Sequence, residues 1–398
     1  MIAMKITKRD HALFLTAVFC FWFATYVYVP VFSLYLENSS FTYTAIGVIL
    51  GAYGATQVLL RYPLGILSDA LKGLLKKLLI AGFVSGFISG VLLVFSDSFA
   101  AVFTARLLAG VTASMWVMAT IMYSRYFAAD QSSRAMGILQ LLTVFTQFIS
   151  MMFSGYLADL FGFEALFWIA AAFSLIGIGF TLFTKEIPVQ TKAEPLKIRS
   201  LITRTLRLHD LRWLTCASFI GHSIIFMTIF GFTPLYASSI GATERTLVVI
   251  FIAFFVPHLL ASLFLSFYTV PARLHKPLLY GSFLTGAAAL VWMPSTASLW
   301  ELSLNQAVLG LALGIVLPLL LGMVVHVSPG PLKASAMGFY QSFYAAGILL
   351  GPVVAGSVAE QVSLPSVFYF GALLSLTGLL ITWLIRFHVQ TDGENSPG

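Results

Sequence analysis

Residues Ser98–Tyr123, SFAAVFTARLLAGVTASMWVMATIMY, decide how this chain is to be read. They form one long apolar run with a single charge inside it, Arg106. Followed at helical spacing, Arg106 leads to Gly110, Ala113, Ser114 and Val117, so the charged face is also small and polar. Roughly 20 apolar residues are enough to cross a bilayer. A guanidinium at that depth costs at least about 2.5 kcal/mol, so it is expected to face a partner or a wet cavity rather than lipid. The run therefore predicts a membrane helix whose Arg106 face lines an aqueous path between helices. The plainer alternative is an arginine that ties two helices together.

Composition points the same way. The chain has 398 residues, of which 59% are hydrophobic and only 9% charged. Soluble domains carry about 25% charged residues. The net charge of +7 does not imply nucleic acid, because the positive residues sit in short loops between apolar runs, where they mark membrane orientation. Cys20 and Cys216 both fall inside apolar runs and read as small buried hydrophobes, with no disulfide or metal pattern. Lys5, Lys8 and Arg9 precede a first run too long for a signal-peptide core, so that run is expected to be retained.

Apolar runs fall near 11–36, 43–68, 76–95, 98–124, 132–158 and 163–184, and again near 213–237, 244–269, 274–293, 297–326, 333–359 and 363–387. The expected fold is an all-α membrane protein of twelve transmembrane helices in two pseudo-symmetric six-helix bundles. Its plan is an N-terminal bundle over 1–184, a cytoplasmic linker over 185–212, a C-terminal bundle over 213–390 and a disordered tail over 391–398. With both termini in the cytoplasm, 19 of the 22 Lys and Arg residues fall on the cytoplasmic side. Arg245 alone lies outside, and Arg61 and Arg106 lie within helices. A wrong helix count would scramble this asymmetry.

The two halves repeat. Ala135-Met136-Gly137 with Gln140 returns 201 residues later as Ala336-Met337-Gly338 with Gln341. At the same offset Gly155 meets Gly356, Asp159 meets Glu360, Ser174 meets Ser375 and Gly177 meets Gly378. Arg106 and Gly110 meet Gln306 and Gly310 at an offset of 200. Six helices separate the copies, so both lie in the same orientation. Parallel repeats about an axis along the membrane normal are one transporter architecture.

Between the second and third runs, Gly65, Leu67 and Asp69 stand in register with the loop signature Gly-x-Leu-x-Asp-Arg-x-Gly-Arg-Arg; Ala70 and Lys72 replace its Arg and Gly, and basic residues recur at Lys76 and Lys77. Arg106 and Gly110 match a fourth-helix signature, Arg-x-x-x-Gly. Gly347, Gly351, Pro352 and Gly356 carry, in the eleventh helix, a Gly-Pro pattern that elsewhere marks the fifth. On these motifs the chain resembles the major facilitator superfamily, and its multidrug and small-molecule exporter branch, over essentially its full length. The resemblance implies that Gly65, Asp69 and Lys72 belong to a gate, Asp69 engaging a neighbouring helix terminus, which carries roughly half a positive charge. It also implies that Arg106 is linked to proton transfer. The acid that usually accompanies it in the first helix is absent here, and aromatics including Tyr26 and Tyr28 take its place. Small residues at Gly110, Gly351, Pro352 and Gly356 allow close backbone approach or a hinge; a packing groove without movement is the alternative.

The other intramembrane polar groups are few. Arg61 is either a snorkelling side chain or a substrate ligand. Glu301, with Asn305 one turn on, is either interfacial or the protonatable group. His222 and His258 titrate near physiological pH when unperturbed, and also serve as hydrogen-bonding glue between helices. Gln140, Gln341 and Tyr344 suit hydrogen bonding of a substrate at the midplane. No P-loop, metal-ligand cluster or nucleophile–base pair is visible, so neither a cofactor nor an enzyme activity is expected. The expected function is secondary active transport by alternating access, as proton-coupled efflux of hydrophobic or amphipathic small molecules through a monomer in the cytoplasmic membrane. An organic-anion or nutrient carrier is the first alternative, because Arg61 and Arg106 lack a midplane acid. A lipid flippase is the second.

Overall fold

The computed structural model describes residues 6–67, 73–127, 131–187, 198–268, 270–329 and 332–385. Asp69, Lys72 and the tail over 391–398 lie outside the described residues. Among the described residues twelve helices are long and apolar enough to cross a membrane. They are α1 Lys8–Asn38, α2 Tyr43–Ile66, α3 Leu75–Phe95, α4 Phe99–Ser124, α5 Ala135–Phe161 and α6 Phe163–Phe183, then α7 His209–Ser239, α8 Glu244–Leu265, α9 Ala272–Ser295, α10 Leu299–Val327, α11 Ser335–Gln361 and α12 Ser366–Leu384. Each coincides with an expected run to within four residues. The face that carries the start of α1 and the end of α12 is called the terminal face below, and the other the opposite face.

Hydropathy alone does not show that three spans are broken. In α1 the helix stops at Tyr26 and restarts at Val29, with Pro30 in the first turn of the second segment. Proline has no N–H to give to the preceding turn and its fixed φ suits a helix start. In α7 the break is a π-turn, Thr228–Phe232, followed by Pro234. The two breaks are 201 residues apart, so the irregularity belongs to the repeat. In α4 the break falls at Met115 without proline. There the Ser114 hydroxyl donates to the Gly110 carbonyl at 2.8 Å, and the Met115 N–H is shared back to Thr112. Such back-bonding by Ser and Thr bends helices.

The packing repeats as well. The Phe83 ring covers Gly177, and the Phe283 ring covers Gly378. Ser174 faces Gly86, and Ser375 faces Gly286. The Thr181 and Thr382 hydroxyls each donate to the carbonyl one turn back, at Gly177 and Gly378. The halves meet chiefly through α2 against α11, with Gly47 against Gly356 and Gly65 near Gly338. At the opposite face α5 and α8 add the Asp159–Arg245 ion pair at 2.6 Å. At the terminal face α4 and α5 part from α10 and α11 around a cleft of about 320 Å³, lined by Thr120, Ser124, Met136, Ser328, Lys333 and Met337. The halves are thus closed on the opposite face; on the terminal face α4 and α5 stand apart from α10 and α11 while α2 and α11 stay in contact.

The root of the linker is pinned to the first half. Lys185 pairs with Asp10 at 2.9 Å, and the Tyr126 hydroxyl donates to the Lys185 carbonyl at 2.8 Å. Burial pushes the Tyr126 hydroxyl up to about 12. Further on, the linker forms a short helix, Ile198–Leu206, whose buried Thr205 bonds the Ser335 hydroxyl at 2.8 Å.

Candidate functional site

Arg106 projects from α4 toward α1 and α2 and is 4% exposed. Its Nη1 donates to the Tyr28 hydroxyl at 3.0 Å. Its Cζ lies 4.8 Å from the Tyr53 ring centroid, 5.1 Å from Phe32 and 5.8 Å from Tyr28. Each such contact is worth about 0.5–2 kcal/mol, the larger figure when desolvated. Its Nε is buried and has no partner among the described residues. Two local features set this geometry. The α1 break swings Tyr28 and Phe32 toward α4, and Gly110 lets α4 approach the Tyr53 carbonyl so closely that a Cβ could not fit.

Beside the guanidinium lies a crevice with about 10 Å³ of free space, room for roughly one water. Tyr26, Phe32, Leu50 and Tyr53 line it from the first half, and Phe226 and Phe230 of α7 line it from the second. It is an inter-bundle space walled by five aromatic rings with Thr25, Val29 and Leu50 between them, and one cation at its edge. Tyr26 is buried and lines the crevice beside Tyr53. A second polar cluster lies around Arg61.

In that cluster Arg61, 3% exposed, donates Nη1 to the Tyr344 hydroxyl and Nη2 to the Ala113 carbonyl at 3.4 Å. Its Cζ sits 5.1 Å from the Tyr344 centroid. His222 stacks on Tyr344 at 4.0 Å and 9°. Its Nδ1 is 2.9 Å from the Ser218 carbonyl, which requires the proton on Nδ1. The described carboxylates lie toward the ends of the helices; the one buried among them, Asp10, is paired with Lys185. Both buried guanidiniums therefore face neutral partners.

The sequence candidates separate accordingly. Arg106 and Tyr26 share the crevice, and Arg61, His222 and Tyr344 share the second cluster. Gln341 lies one turn from Tyr344 toward the terminal face, its Oε1 buried without a partner among the described residues. Gln140 is exposed on α5, one turn beyond Met136 of the cleft. Glu301 is exposed and accepts from the Ala297 N–H at 2.8 Å, at the start of α10. Asn305 donates to the Ala289 carbonyl at 2.7 Å and bridges α10 to α9. His258 packs on Phe254, between α8 and α10. Gly65 sits beside Gly338, Gly351 on Ser223 of α7, and Pro352 and Gly356 on Gly47. Sequence reading gave no weight to Phe32 and Tyr53, the rings that hold Arg106. Phe32 lies past the break, where helical spacing from the first segment no longer applies, and Tyr53 stands alone in a Gly-rich stretch.

Two bundles in parallel repeat, closed around a buried inter-bundle crevice, define a membrane transporter. The family model described as Major Facilitator Superfamily matches residues 14–302 and 239–398, and the chain belongs to that family. It is a multi-pass membrane transporter, not an enzyme. Among relatives, the inner membrane transport protein YajR of Escherichia coli is 24% identical over 348 residues, covering 84% of this chain and 74% of that protein. The quinolone resistance protein NorA of Staphylococcus aureus is 27% identical over 150 residues, only 37% of this chain and 38% of its own. Two solved structures share the fold. The human organic anion transporter MFSD10 has a TM-score of 0.69 at 17% identity, covering 96% of this chain and all of its own. The nucleoside transporter NupG has a TM-score of 0.74 at 18% identity, covering 95% and 100%.

Proposed function

We propose that this protein carries amphipathic organic anions, each with an aromatic or apolar body and one acidic group, by alternating access between the two halves. One observation carries the reading: Arg106 is buried at the edge of an aromatic inter-bundle crevice with, among the described residues, only a phenol and ring faces as partners. Buried charges are normally paired. A cargo carboxylate, sulfonate or phosphate supplies the missing partner through charge-assisted hydrogen bonds, while Phe226, Phe230 and Tyr26, on walls that part as the halves move, cover its apolar body. The distribution of basic residues supports a cytoplasmic terminal face, with the cleft beside Lys333 as its mouth. Bacterial relatives support placement in the cell membrane. The division at 185–212 supports two moving bundles joined by the linker.

A second reading is proton-coupled efflux of uncharged hydrophobic compounds. The aromatic crevice and the local similarity to a quinolone resistance protein favour it. Flux into proteoliposomes separates the two, using isosteric aromatic carboxylates, alcohols and amines with and without an imposed pH gradient. The anion reading expects the carboxylate to move and Arg106→Ala to abolish its flux in protein that still elutes as a folded species. Transport of the alcohol in preference to the carboxylate defeats it. Flux that ignores the pH gradient removes proton coupling.

A further inference from the structure

The second buried cation lies on the seam that has to open. Helices α2 and α11 touch along their length, and these halves must part there if access alternates. Arg61 is the one charged side chain buried in that seam among the described residues. It belongs to the first half, and its main partner, the Tyr344 hydroxyl, belongs to the second. The other acceptor is the Ala113 carbonyl at 3.4 Å, and Nε has no partner among the described residues. A guanidinium offers five N–H donors in a fixed fork. Here a phenol and a long bond to a carbonyl take two of them, and both acceptors are neutral. An ionised acid accepts about twice as strongly, and does so bidentately.

We propose that Arg61 is a second anion-binding residue, at which the cargo's acidic group takes the guanidinium from the Tyr344 hydroxyl and so unties α2 from α11. This rests on the organic-anion reading above. The positions along α4 fit a stepwise path. Ala113 is seven residues beyond Arg106, a rise of about 10 Å toward the terminal face. Thr120 and Ser124, about two and three turns further, line the cleft, with exposed Lys333 across from them. Arg106, Arg61 and Lys333 stand in file, and no described carboxylate interrupts them. Tyr344 is held by its stack on His222, so the phenol stays with the second half when the cation leaves it. An uncharged isostere meets the same aromatic walls once they part, but cannot compete with a phenol for Arg61, so only an acid both binds and releases the seam.

The test uses the full chain in lipid nanodiscs, with naphthoate as the probe and naphthylmethanol as its uncharged isostere, measured by calorimetry. Wild type is expected to bind naphthoate at least tenfold tighter than the alcohol. Arg61→Gln is expected to weaken naphthoate at least tenfold and leave the alcohol unchanged, and Arg61→Lys to retain part of the affinity. Tyr344→Phe, which removes the competitor and keeps the ring, is expected to tighten naphthoate several-fold; a merely structural tyrosine would not do this. Naphthoate binding that is unchanged in Arg61→Gln, or weakened in Tyr344→Phe, overturns the Arg61 assignment and leaves the anion reading standing. Equal binding of acid and alcohol by wild type overturns both. If Arg61→Gln does not fold, the Tyr344→Phe result decides alone.

Discussion

Helices α4 and α10 are the same element built twice and used differently. Gly110 of α4 presses on the Tyr53 carbonyl, and Gly310 of α10, 200 residues further on, presses on the Phe254 carbonyl. One turn before each glycine the copies diverge. Arg106 sits in a cage of Tyr28, Phe32 and Tyr53, whereas buried Gln306 reaches only the Met293 sulfur at 3.6 Å. The positions 201 beyond the cage are Ile229, Thr233 and Phe254, which offer neither phenol nor a second ring face at the equivalent places. The scaffold is symmetric because both bundles solve one packing problem. On the organic-anion reading, the charge is asymmetric because a cargo with one acidic group calls for a buried cation in one half only.

Exchanging the two residues strains this comparison most. Gln306→Arg puts a cation where no cage exists, and should cost at least about 2.5 kcal/mol, read as a lower melting temperature and poor yield in detergent. Arg106→Gln makes α4 resemble α10. It should fold, since the cation itself is costly to bury, but lose roughly 10- to 100-fold in anion flux. That follows from about 1.5–3 kcal/mol for a hydrogen bond to a charged group, at tenfold per 1.4 kcal/mol. Gln306→Ala should leave flux within about threefold, because no cargo contact is assigned to it. If Arg106→Gln and Gln306→Ala reduce flux equally, the asymmetry is only compositional.

The glycines test the shared part. A Cβ at either Gly110 or Gly310 would land on a backbone carbonyl of the neighbouring helix, which cannot swing aside as a side chain does. Gly110→Ala and Gly310→Ala should therefore each lower stability by about 1–3 kcal/mol, the usual cost of overpacking. Melting curves in detergent should show comparable shifts for the two. A loss at Gly110 alone would mean that α10 packs less tightly against α8 than α4 does against α2.

Much of this was legible before any coordinates. The twelve spans, the repeat and the depth of Arg106 follow from hydropathy and a fixed offset, because a bilayer demands continuous apolar helices. What surrounds Arg106 was not legible. Its cage depends on the turn after Tyr26, a tertiary bend that pattern reading treats as unbroken helix. In the chain Glu301, with Asn305 one turn on, reads as either interfacial or the protonatable group, because any polar group inside a span attracts suspicion. In place, one accepts from the Ala297 N–H and the other bonds a neighbouring helix. His222 and Tyr344 come from α7 and α11 and meet Arg61 only in three dimensions, so their stack had no signal in the chain order.

The smallest effects fall where the repeat closes the opposite face. Asp159 at the end of α5 pairs with Arg245 in the first turn of α8, and Glu360 at the end of α11 accepts the Tyr43 N–H at the start of α2, at 2.7 Å. The acids are 201 residues apart, and so are Tyr43 and Glu244, which open the two gripped helices. Each acid holds the opposite half, one through a side chain and one through a helix N-terminus. All of these groups are at least partly solvated, so each latch should be worth well under the value of the Arg106 contacts. Exposed ion pairs give about 0.2–1 kcal/mol and a carboxylate at a helix N-terminus about 0.3–1 kcal/mol. Asp159→Asn and Glu360→Gln should each shift the closed population by a few-fold at most, and the pair together should add, because the latches share no residue. Spin labels at Asp97 and Val362, both exposed on the opposite face, would read this as a longer-distance fraction that grows in each variant. A large shift from Glu360→Gln with none from Asp159→Asn would show that the helix terminus, not the ion pair, keeps this face shut.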